Sequence, residues 1–384
     1  MRGSGQSDTV RRLASQGHLI GDRWRPAAAA AGTYEHRYAA TGQVQAEVGL
    51  AGAEDVDDAV GAAGEAQPAW AATSPVRRAE ILDRLADLLE AEGPAAGELV
   101  ALDNGTPVRV VKPGRYAAAW VRYAAEWCVR LGDEVLDGTE GRTSVRREPY
   151  GVVGAMPPWN GSMMGMGQKC GPALAAGNTV VAKPPEVSPF GMLRFAELAL
   201  AAGLPPGVLN VVVGGPTAGA ALAGHPGVHK ITFTGGAEAA RALMATAAKQ
   251  LTPLALELGG KSPNLVFPDA DLDLAAGLAA RSGTALLAGQ GCALPTRLYV
   301  HDDVYDEVVD RMLAVLATLP LGDPARPGHL CRPGGNRGGH GAHPGGHRPG
   351  PVGRGHPAGR GGSCRGRHGC RMVRGSHRPR GCGP

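Results

Sequence analysis

Three segments of this chain carry side chains that could act together on a carbonyl group. Cys292 follows a glycine, Asn160 follows Pro158-Trp159, and Glu257 lies within a short apolar run. A thiolate can attack an aldehyde carbon, and an amide N–H can stabilise the oxyanion that forms. A carboxylate can then activate the water that cleaves a thioester. The three residue types therefore indicate oxidation of an aldehyde through a covalent sulfur adduct.

Each of these three signals also has an ordinary structural explanation. A free cysteine is usually a small buried hydrophobe, and an asparagine after proline is common in turns. The carboxylate of Glu257 could be satisfied by nearby backbone amides. Partial burial would raise its pKa towards that of a useful base for water.

Two further segments carry residues that suit a nucleotide. Lys183 and Glu186 follow a strand-like stretch, and a carboxylate there can bind a free ribose 2′-hydroxyl but would repel a 2′-phosphate. Thr234-Gly235-Gly236 precedes a helical stretch, whose first backbone amides favour phosphate. The alternative for Lys183 and Glu186 is a surface ion pair. The alternative for Thr234-Gly235-Gly236 is a plain strand-to-helix turn. The chain contains no G-x-G-x-x-G, the usual dinucleotide fingerprint.

Alternating strand and helix patterns must position these residues. Apolar spacing predicts helices over 54–70 and 79–92. A β-α-β rhythm follows, which is typical of a parallel sheet covered by helices. Its predicted strands are 151–155, 179–182, 208–213 and 230–234. Its predicted helices are 192–202, 218–223 and 238–250. A second α/β segment is predicted from strand 264–267, helix 272–287, strand 297–300 and helix 304–319.

Five motifs occur in a fixed order along this pattern. They are Pro158-Trp159-Asn160, Gly177–Pro184 (GNTVVAKP), Phe233-Thr234-Gly235, Leu256–Lys261 (LELGGK) and Gly289–Cys292 (GQGC). In their order and spacing the chain closely resembles the NAD(P)-dependent aldehyde dehydrogenase superfamily, from about Gly17 to Pro324. Members of that family bind their cofactor without G-x-G-x-x-G.

The resemblance implies a fold and a reaction. The fold class is α/β and aldehyde-dehydrogenase-like. A Rossmann-type NAD-binding domain would cover 1–256, with an oligomerisation hairpin near 121–150. An incomplete α/β catalytic domain would cover 257–325, and a disordered Arg/Gly/Pro-rich tail 326–384. The implied reaction oxidises a small-molecule aldehyde to a carboxylic acid with NAD, in a homo-oligomer.

The resemblance also implies roles for single residues. Cys292 would be the nucleophile, and Asn160 would form the oxyanion hole together with the Cys292 backbone amide. Glu257 would be the base for the deacylating water, and Lys169 would assist proton movement. The cofactor contacts would be Lys183, Glu186, Trp159, Gly235, Gly236 and Leu258. Glu186 would favour NAD over NADP. Gly236 stands where the family often has serine, so one hydrogen bond to the pyrophosphate would be missing.

The composition divides the chain at about residue 325. Residues 326–384 hold 12 of the 39 Lys and Arg and none of the 35 Asp and Glu, so the tail carries +12 and the body −8. The tail also holds 19 of the 60 Gly and lacks Phe, Trp, Tyr and Ile. Such a segment cannot bury enough apolar surface to fold. We interpret it as a GC-rich gene translated out of frame, and expect poor solubility and little or no turnover from the truncated chain.

Two other functions for the tail are possible from its composition. Its arginines could bind nucleic acid non-specifically, although no aromatic residues are interleaved for base stacking. Cys364, His368 and Cys370 could bind zinc, but their spacing is not that of a known zinc site. The body is mildly acidic and gives no reason to expect specific nucleic acid. For the aldehyde-oxidising enzyme we predict no bound metal.

The body has the features of a soluble intracellular enzyme. It contains no apolar run of about 18 residues, which predicts no membrane helix, and its first 16 residues lack the apolar centre of a secretory signal. Its three cysteines, Cys128, Cys170 and Cys292, are an odd and sparse set that suits a reducing compartment. The sequence therefore predicts a cytoplasmic location.

Overall fold

The chain forms two units, and each is described by itself. A computed structural model describes residues 4–28, 31–139, 141–329 and 370–374. The first unit comprises Met1–Tyr38, Gln43–Asn104 and Val111–Glu257, and the second comprises Ala39–Gly42, Gly105–Val110 and Leu258–Pro384.

The described part of the first unit contains nine α-helices. They are α1 Ser4–Gln16, α2 Ala53–Ala72, α3 Pro75–Ala91, α4 Gly93–Asn104, α5 Pro113–Arg130, α6 Ser162–Ala175, α7 Phe190–Ala201, α8 Pro216–Gly224 and α9 Ala237–Ala247. Its strands are β1 His18–Ile20, β2 Arg23–Arg25, β3 Thr33–Arg37, β4 Val44–Gly49, β5 Glu134–Gly138, β6 Gly141–Val145, β7 Val152–Met156, β8 Thr179–Ala182, β9 Leu209–Val211, β10 Lys230–Gly235 and β11 Leu254–Leu258.

A seven-stranded sheet organises the first unit, in the order β11-β10-β7-β8-β9-β1-β2. Strands β10, β7, β8 and β9 are parallel, whereas β1 runs antiparallel to both β9 and β2. The predicted parallel core is therefore present. The two antiparallel strands at one edge were not predicted, because each has three residues and neither shows a clear apolar alternation.

Helices cover both faces of this sheet. Along β8, Val180 and Ala182 belong to one apolar cluster with α3, α5, α6 and α7, and Val181 belongs to another with α2 and α8. Alternate side chains of a strand point to opposite faces, so the continuous apolar run of β8 is what a doubly covered strand requires. The α/β fold class predicted from the sequence is confirmed.

The boundaries of α3 show how local sequence sets an element. Ser74 caps the helix by accepting a hydrogen bond from the Arg77 backbone N–H at 3.3 Å, and Pro75 occupies the first turn, where no N–H partner is needed. The face that carries Leu82, Leu85 and Leu89 is buried in the core. The predicted helix 79–92 thus begins four residues earlier than expected.

The second unit contains α10 Leu272–Leu278, α11 Tyr305–Ala317, β12 Pro263–Val266, β13 Arg297–His301 and β14 Cys370–Arg374. Strand β13 is parallel to β12 and antiparallel to β14. The predicted helix 272–287 is wrong in its second half. After α10 the chain winds as a π-helix over Ala279–Ala285 and a 3₁₀-helix over Leu286–Gly289, and Leu287 has a φ of +50°.

The predicted tail lies mostly beyond the described residues. Of 326–384, the structure describes 326–329 and the backbone of β14, which pairs with β13. The expectation of disorder concerns the remaining positions, which lie outside the described residues. The same holds for the side chains of the predicted nucleic-acid and zinc sites, including Cys364, His368 and Cys370.

Candidate functional site

The carboxyl ends of β7, β8 and β10 place the predicted cofactor residues of the first unit at one edge of the sheet. The chain moves from β7 to β8 and β9 in one direction and then returns to the other side of β7 as β10. Open α/β sheets bind ligands at such a reversal. Trp159 and Asn160 follow β7, Lys183 and Glu186 follow β8, and Gly235-Gly236 closes β10.

Trp159 and Asn160 occupy the centre of a tight turn between β7 and α6. The Gly161 backbone N–H donates to the Pro158 carbonyl at 3.1 Å, which closes the turn. Asn160 is half-buried. The short turn fixes the backbone on both sides of Asn160, so its amide is carried by a rigid connection at the strand end, as an oxyanion donor requires.

Lys169 is a buried cation on α6. Its side chain is directed to β10, where Nζ donates to Thr232 Oγ1 at 3.1 Å. Burial lowers the pKa of Lys169 to about 8, against smaller opposing effects of Cys170 and Glu257. An ammonium with a pKa this close to neutrality can gain and lose a proton under ordinary conditions.

Glu257 ends the part of β11 that belongs to the first unit. The strand lies beside β10. The negative charge of Glu257 raises the pKa of Lys169 and so opposes the effect of burial. Glu257 is exposed, so the partial burial considered for it is not observed. The apolar neighbours in Leu254–Leu258 suggested a buried strand, but β11 is the edge strand of the sheet, and three of its five residues are exposed.

Lys183 and Glu186 lie beside the start of α8. Lys183 Nζ donates to the Gly214 carbonyl at 2.6 Å. Burial lowers the pKa of Lys183 to about 8, and the charge of Glu186 opposes this. A Cβ built on Gly215 would lie 3.5 Å from Glu186 Oε1. The strand end therefore presents a cation, a carboxylate and a helix N-terminus together, a set that suits a ribose with an adjacent phosphate.

The end of β10 contains an unsatisfied buried hydroxyl. Thr234 Oγ1 is buried and has no hydrogen-bond partner among the described residues. Gly236 follows as the N-cap of α9 and offers no side-chain cap to the helix. A buried polar atom without a partner indicates a position that a ligand could satisfy. The ends of β8 and β10 therefore carry groups that suit a ligand with a ribose and phosphates, as a dinucleotide has.

Cys292 lies on a turn in the second unit and is exposed. The backbone on one side is crowded by Leu294, whose Cγ would be 2.7 Å from a Cβ on Gly291. A Cβ on Gly260 would lie 3.9 Å from the Cys292 carbonyl oxygen, so Gly260 lies close to the nucleophile motif within this unit. Leu258, the other predicted contact in this unit, is 40% exposed.

Comparison with known proteins decides the family. A model of the aldehyde dehydrogenase family matches residues 24–333. The chain belongs to the aldehyde dehydrogenase family. It is 39% identical over 327 residues to the mitochondrial succinate-semialdehyde dehydrogenase of Arabidopsis thaliana. The matched region covers 82% of this chain and 60% of that protein.

Solved aldehyde dehydrogenase-like structures share the fold. An E. coli NADP-dependent enzyme superposes with a TM-score of 0.80 at 36% identity, covering 84% of this chain and 67% of that one. PnpE of Pseudomonas sp. WBC-3, in complex with nicotinamide adenine dinucleotide, has a TM-score of 0.80 at 37% identity, with 83% and 66% covered. The chain spans about three fifths of the length of the curated relatives that it matches.

The described residues hold no helix that is both long and apolar enough to cross a membrane.

Sequence reasoning missed three residues around the candidate site. Thr232 receives the Lys169 hydrogen bond, Asn104 donates to the Trp159 carbonyl, and Asp103 accepts from the Ser162 hydroxyl. Asp103 and Asn104 end α4, and their polar side chains are of the kind that ordinarily marks an exposed helix end. The one signal that could have drawn attention to them is the Asp-Asn pair at a helix end followed by Gly105.

Proposed function

We propose that the residues of this chain are those of an enzyme that oxidises a small-molecule aldehyde to a carboxylic acid with NAD, through a thiohemiacetal and a thioester on Cys292, and that the chain itself turns over only slowly. The observation that carries the proposal is an exposed thiol in the GQGC motif, inside the range that matches the aldehyde dehydrogenase family. An exposed cysteine is available to a substrate, whereas Cys128 and Cys170 are buried.

The residues of the chain divide the steps between them. The Cys292 thiolate forms the bond to the carbonyl carbon, and the carbonyl electron pair moves to oxygen, where the Asn160 amide stabilises it. Loss of hydride re-forms the carbonyl as a thioester. Glu257 then takes a proton from water, which attacks the thioester carbon and releases the acid and the Cys292 thiolate. A thiolate nucleophile requires a reducing compartment, which favours the cytoplasm.

Glu257 suits this step in its exposed position. A base for water must reach solvent, and the edge strand β11 gives it that access. Lys169 supports proton movement, because a pKa of about 8 lets it pass a proton towards Thr232 or bound water without holding it permanently.

The strand ends of the first unit would hold the cofactor. When bound, it supplies the hydride acceptor. Glu186 would accept from a ribose hydroxyl, and its charge disfavours the extra phosphate of NADP. The remaining proposed cofactor contacts are Lys183, Trp159, Gly235, Gly236 and Leu258. The buried Thr234 hydroxyl would gain the partner that it lacks in the described structure.

We further propose a homo-oligomer assembled through α5. Four aromatic side chains spaced along this helix are 38–52% exposed: Tyr116, Trp120, Tyr123 and Trp127. Consecutive rings contact edge to face, with centroids 6.2–6.3 Å apart between Trp120, Tyr123 and Trp127. Both strands of the neighbouring hairpin, β5 and β6, are exposed at every residue. A continuous exposed aromatic stripe of this kind marks a protein interface.

The proposed reaction is tested by trapping its intermediate. We expect Glu257→Gln to accumulate an acyl group on Cys292 when the chain is mixed with an aldehyde panel and NAD. Intact-mass and peptide-mapping mass spectrometry would locate the adduct, and absorbance at 340 nm would report one NADH per adduct. Cys292→Ala serves as the matched control and should show neither signal.

Two results would contradict the proposal. The first is NADH formation that survives Cys292→Ala, which would remove the thiol from the mechanism. The second is the absence of both adduct and NADH in the folded parent chain and in Glu257→Gln, across aliphatic and aromatic aldehydes.

A further inference from the structure

The turn that carries Asn160 is held by side chains from a distant segment. Asn104, the last residue of α4, donates its Nδ2 to the Trp159 carbonyl at 3.1 Å. The neighbouring Asp103 places Oδ2 3.5 Å from the Ser162 hydroxyl. Residues 103 and 104 therefore contact the turn on both sides of Asn160, although they precede it by more than 50 positions.

The contact with Trp159 constrains the backbone that leads into Asn160. The Trp159 carbonyl belongs to the peptide plane that ends at the Asn160 backbone nitrogen, and peptide planes are rigid. Fixing that carbonyl therefore fixes the plane from which the Asn160 side chain projects. Asn104 is itself buried, at 7% exposure, so water does not replace its hydrogen bond easily.

Asp103 is itself held in place by contacts with α7 and with His36. Its carboxylate, fully buried, accepts the backbone N–H groups of Phe190 at 3.2 Å and Gly191 at 3.0 Å, at the start of α7. His36 Nε2 lies 2.9 Å from the Asp103 carbonyl oxygen, and its ring packs edge to face on Phe190. A helix N-terminus stabilises a carboxylate in this position.

Ser162 shows that the turn is held against a conformational preference. Its φ of +39° lies in the left-handed region, which is costly for a residue with a Cβ. A Cβ built on Gly191 would lie 2.0 Å from Ser162 Oγ, so the start of α7 packs directly on this residue. Such a conformation persists where the surroundings determine it, and here these surroundings are Asp103 and α7.

We propose that Asp103 and Asn104 are positioning residues that orient the Asn160 amide towards the oxyanion. The inference rests on the oxyanion role of Asn160 in the proposed function. A displacement of the donor by about 1 Å can cost up to about a hundredfold in rate. Loss of the Asn104 hydrogen bond loosens the turn without removing the donor, so we expect a smaller loss than for Asn160→Ala.

The first experiment measures the turn itself and needs no activity. In the full-length chain, Asn104→Ala should raise backbone hydrogen exchange in the peptide that covers residues 157–163 by about tenfold, and leave the peptide that covers β9 unchanged. Asn210→Ala is the matched control, because Asn210 is also a buried amide that donates to a carbonyl, that of Gly207 at 2.8 Å. It should leave residues 157–163 unchanged. Unchanged exchange of 157–163 in Asn104→Ala would overturn the inference.

The second experiment compares two reactions of Cys292. Acylation by p-nitrophenyl acetate passes through an oxyanion, whereas alkylation by iodoacetamide does not. Both rates are read at Cys292 by peptide mass spectrometry, and their ratio cancels changes in thiol exposure or ionisation. We expect Asn104→Ala to lower the acylation-to-alkylation ratio about tenfold, Asn160→Ala to lower it at least as much, and Asn210→Ala to leave it within twofold.

The outcomes separate the two proposals. If Asn160→Ala lowers the ratio and Asn104→Ala does not, the positioning role is wrong and the oxyanion role stands. If Asn160→Ala leaves the ratio unchanged, the oxyanion role is wrong and the positioning role falls with it. Should Asn104→Ala fail to give a native circular dichroism spectrum, Asn104→Leu removes the donor and keeps the side-chain volume, and the same ratios apply.

Discussion

Replacing Lys169 by methionine is expected to stabilise the first unit at neutral pH. Lys169 is 5% exposed, and its Nζ donates to the neutral Thr232 hydroxyl at 3.1 Å. Burial lowers its pKa from 10.5 to about 8. The charged form is therefore less favourable in the folded chain than in the unfolded chain, and methionine removes that charge while filling nearly the same volume.

The size of the effect follows from the pKa. Between about pH 8 and pH 10.5 the unfolded chain keeps a proton that the folded chain has released, so stability rises with pH across this window. Below it, the buried ammonium costs roughly 3 kcal/mol. Losing the Thr232 hydrogen bond costs about 1 kcal/mol. We therefore expect Lys169→Met to be about 2 kcal/mol more stable than the parent at pH 7, and about 1 kcal/mol less stable above pH 10.5.

The assay is urea unfolding followed by circular dichroism at pH 7, 8, 9, 10 and 10.5. The quantity of interest is the difference in the free energy of unfolding between variant and parent, because groups common to both chains cancel. Lys249→Met is the matched control for replacing a lysine by methionine, since Lys249 is exposed on the 3₁₀ turn after α9. A Lys169→Met difference that stays constant within about 1 kcal/mol over this range would refute the reasoning.

Three further predictions concern the cofactor, the core and the assembly. Glu186→Gln should raise the affinity for NADP relative to NAD by at least about tenfold, because it removes the charge that repels a 2′-phosphate. Calorimetric Kd values for both cofactors check this, and an unchanged ratio of the two Kd values would contradict it. Asp103→Ala should lower the free energy of unfolding by about 3 kcal/mol, because the Phe190 and Gly191 N–H groups lose their acceptor, and urea unfolding measures it. Trp120→Glu combined with Trp127→Glu should convert an oligomer to a monomer in sedimentation velocity, and an unaltered sedimentation coefficient would exclude α5 as the interface.

The central strands could be predicted because their sequences leave little choice. Residues 179–182 are four apolar or β-branched residues between Asn178 and Lys183, and β8 has the predicted bounds. A strand buried on both faces requires such a run. The polar residues after β7, β8 and β10 were placed correctly for the same reason, since the end of a well-defined strand locates whatever follows it.

Local pattern was less informative where tertiary position decides exposure. The run around Glu257 has the composition of a buried strand, yet β11 is an edge strand and the carboxylate is exposed. The stretch 272–287 has helical spacing throughout, yet it changes winding after Leu278. Period alone does not distinguish an α-helix from a π-helix, because the hydrogen-bond register depends on what packs against the helix.

The residues around Asn160 show where sequence reasoning ends and geometry is required. A motif such as Pro158-Trp159-Asn160 names the chemical group but not what holds it, because the holding atoms come from α4 and α7. Ser162 illustrates the consequence. Its left-handed φ is unfavourable in isolation, and no neighbouring residue in the sequence explains it. Asp103 contacts both the Ser162 hydroxyl and the α7 N-terminus. Under the proposed function, the position of Asn160 therefore depends on a carboxylate that never needs to touch substrate. A change at residue 103 or 104 should then alter the chemistry of a cysteine nearly 190 positions later by altering where one amide points.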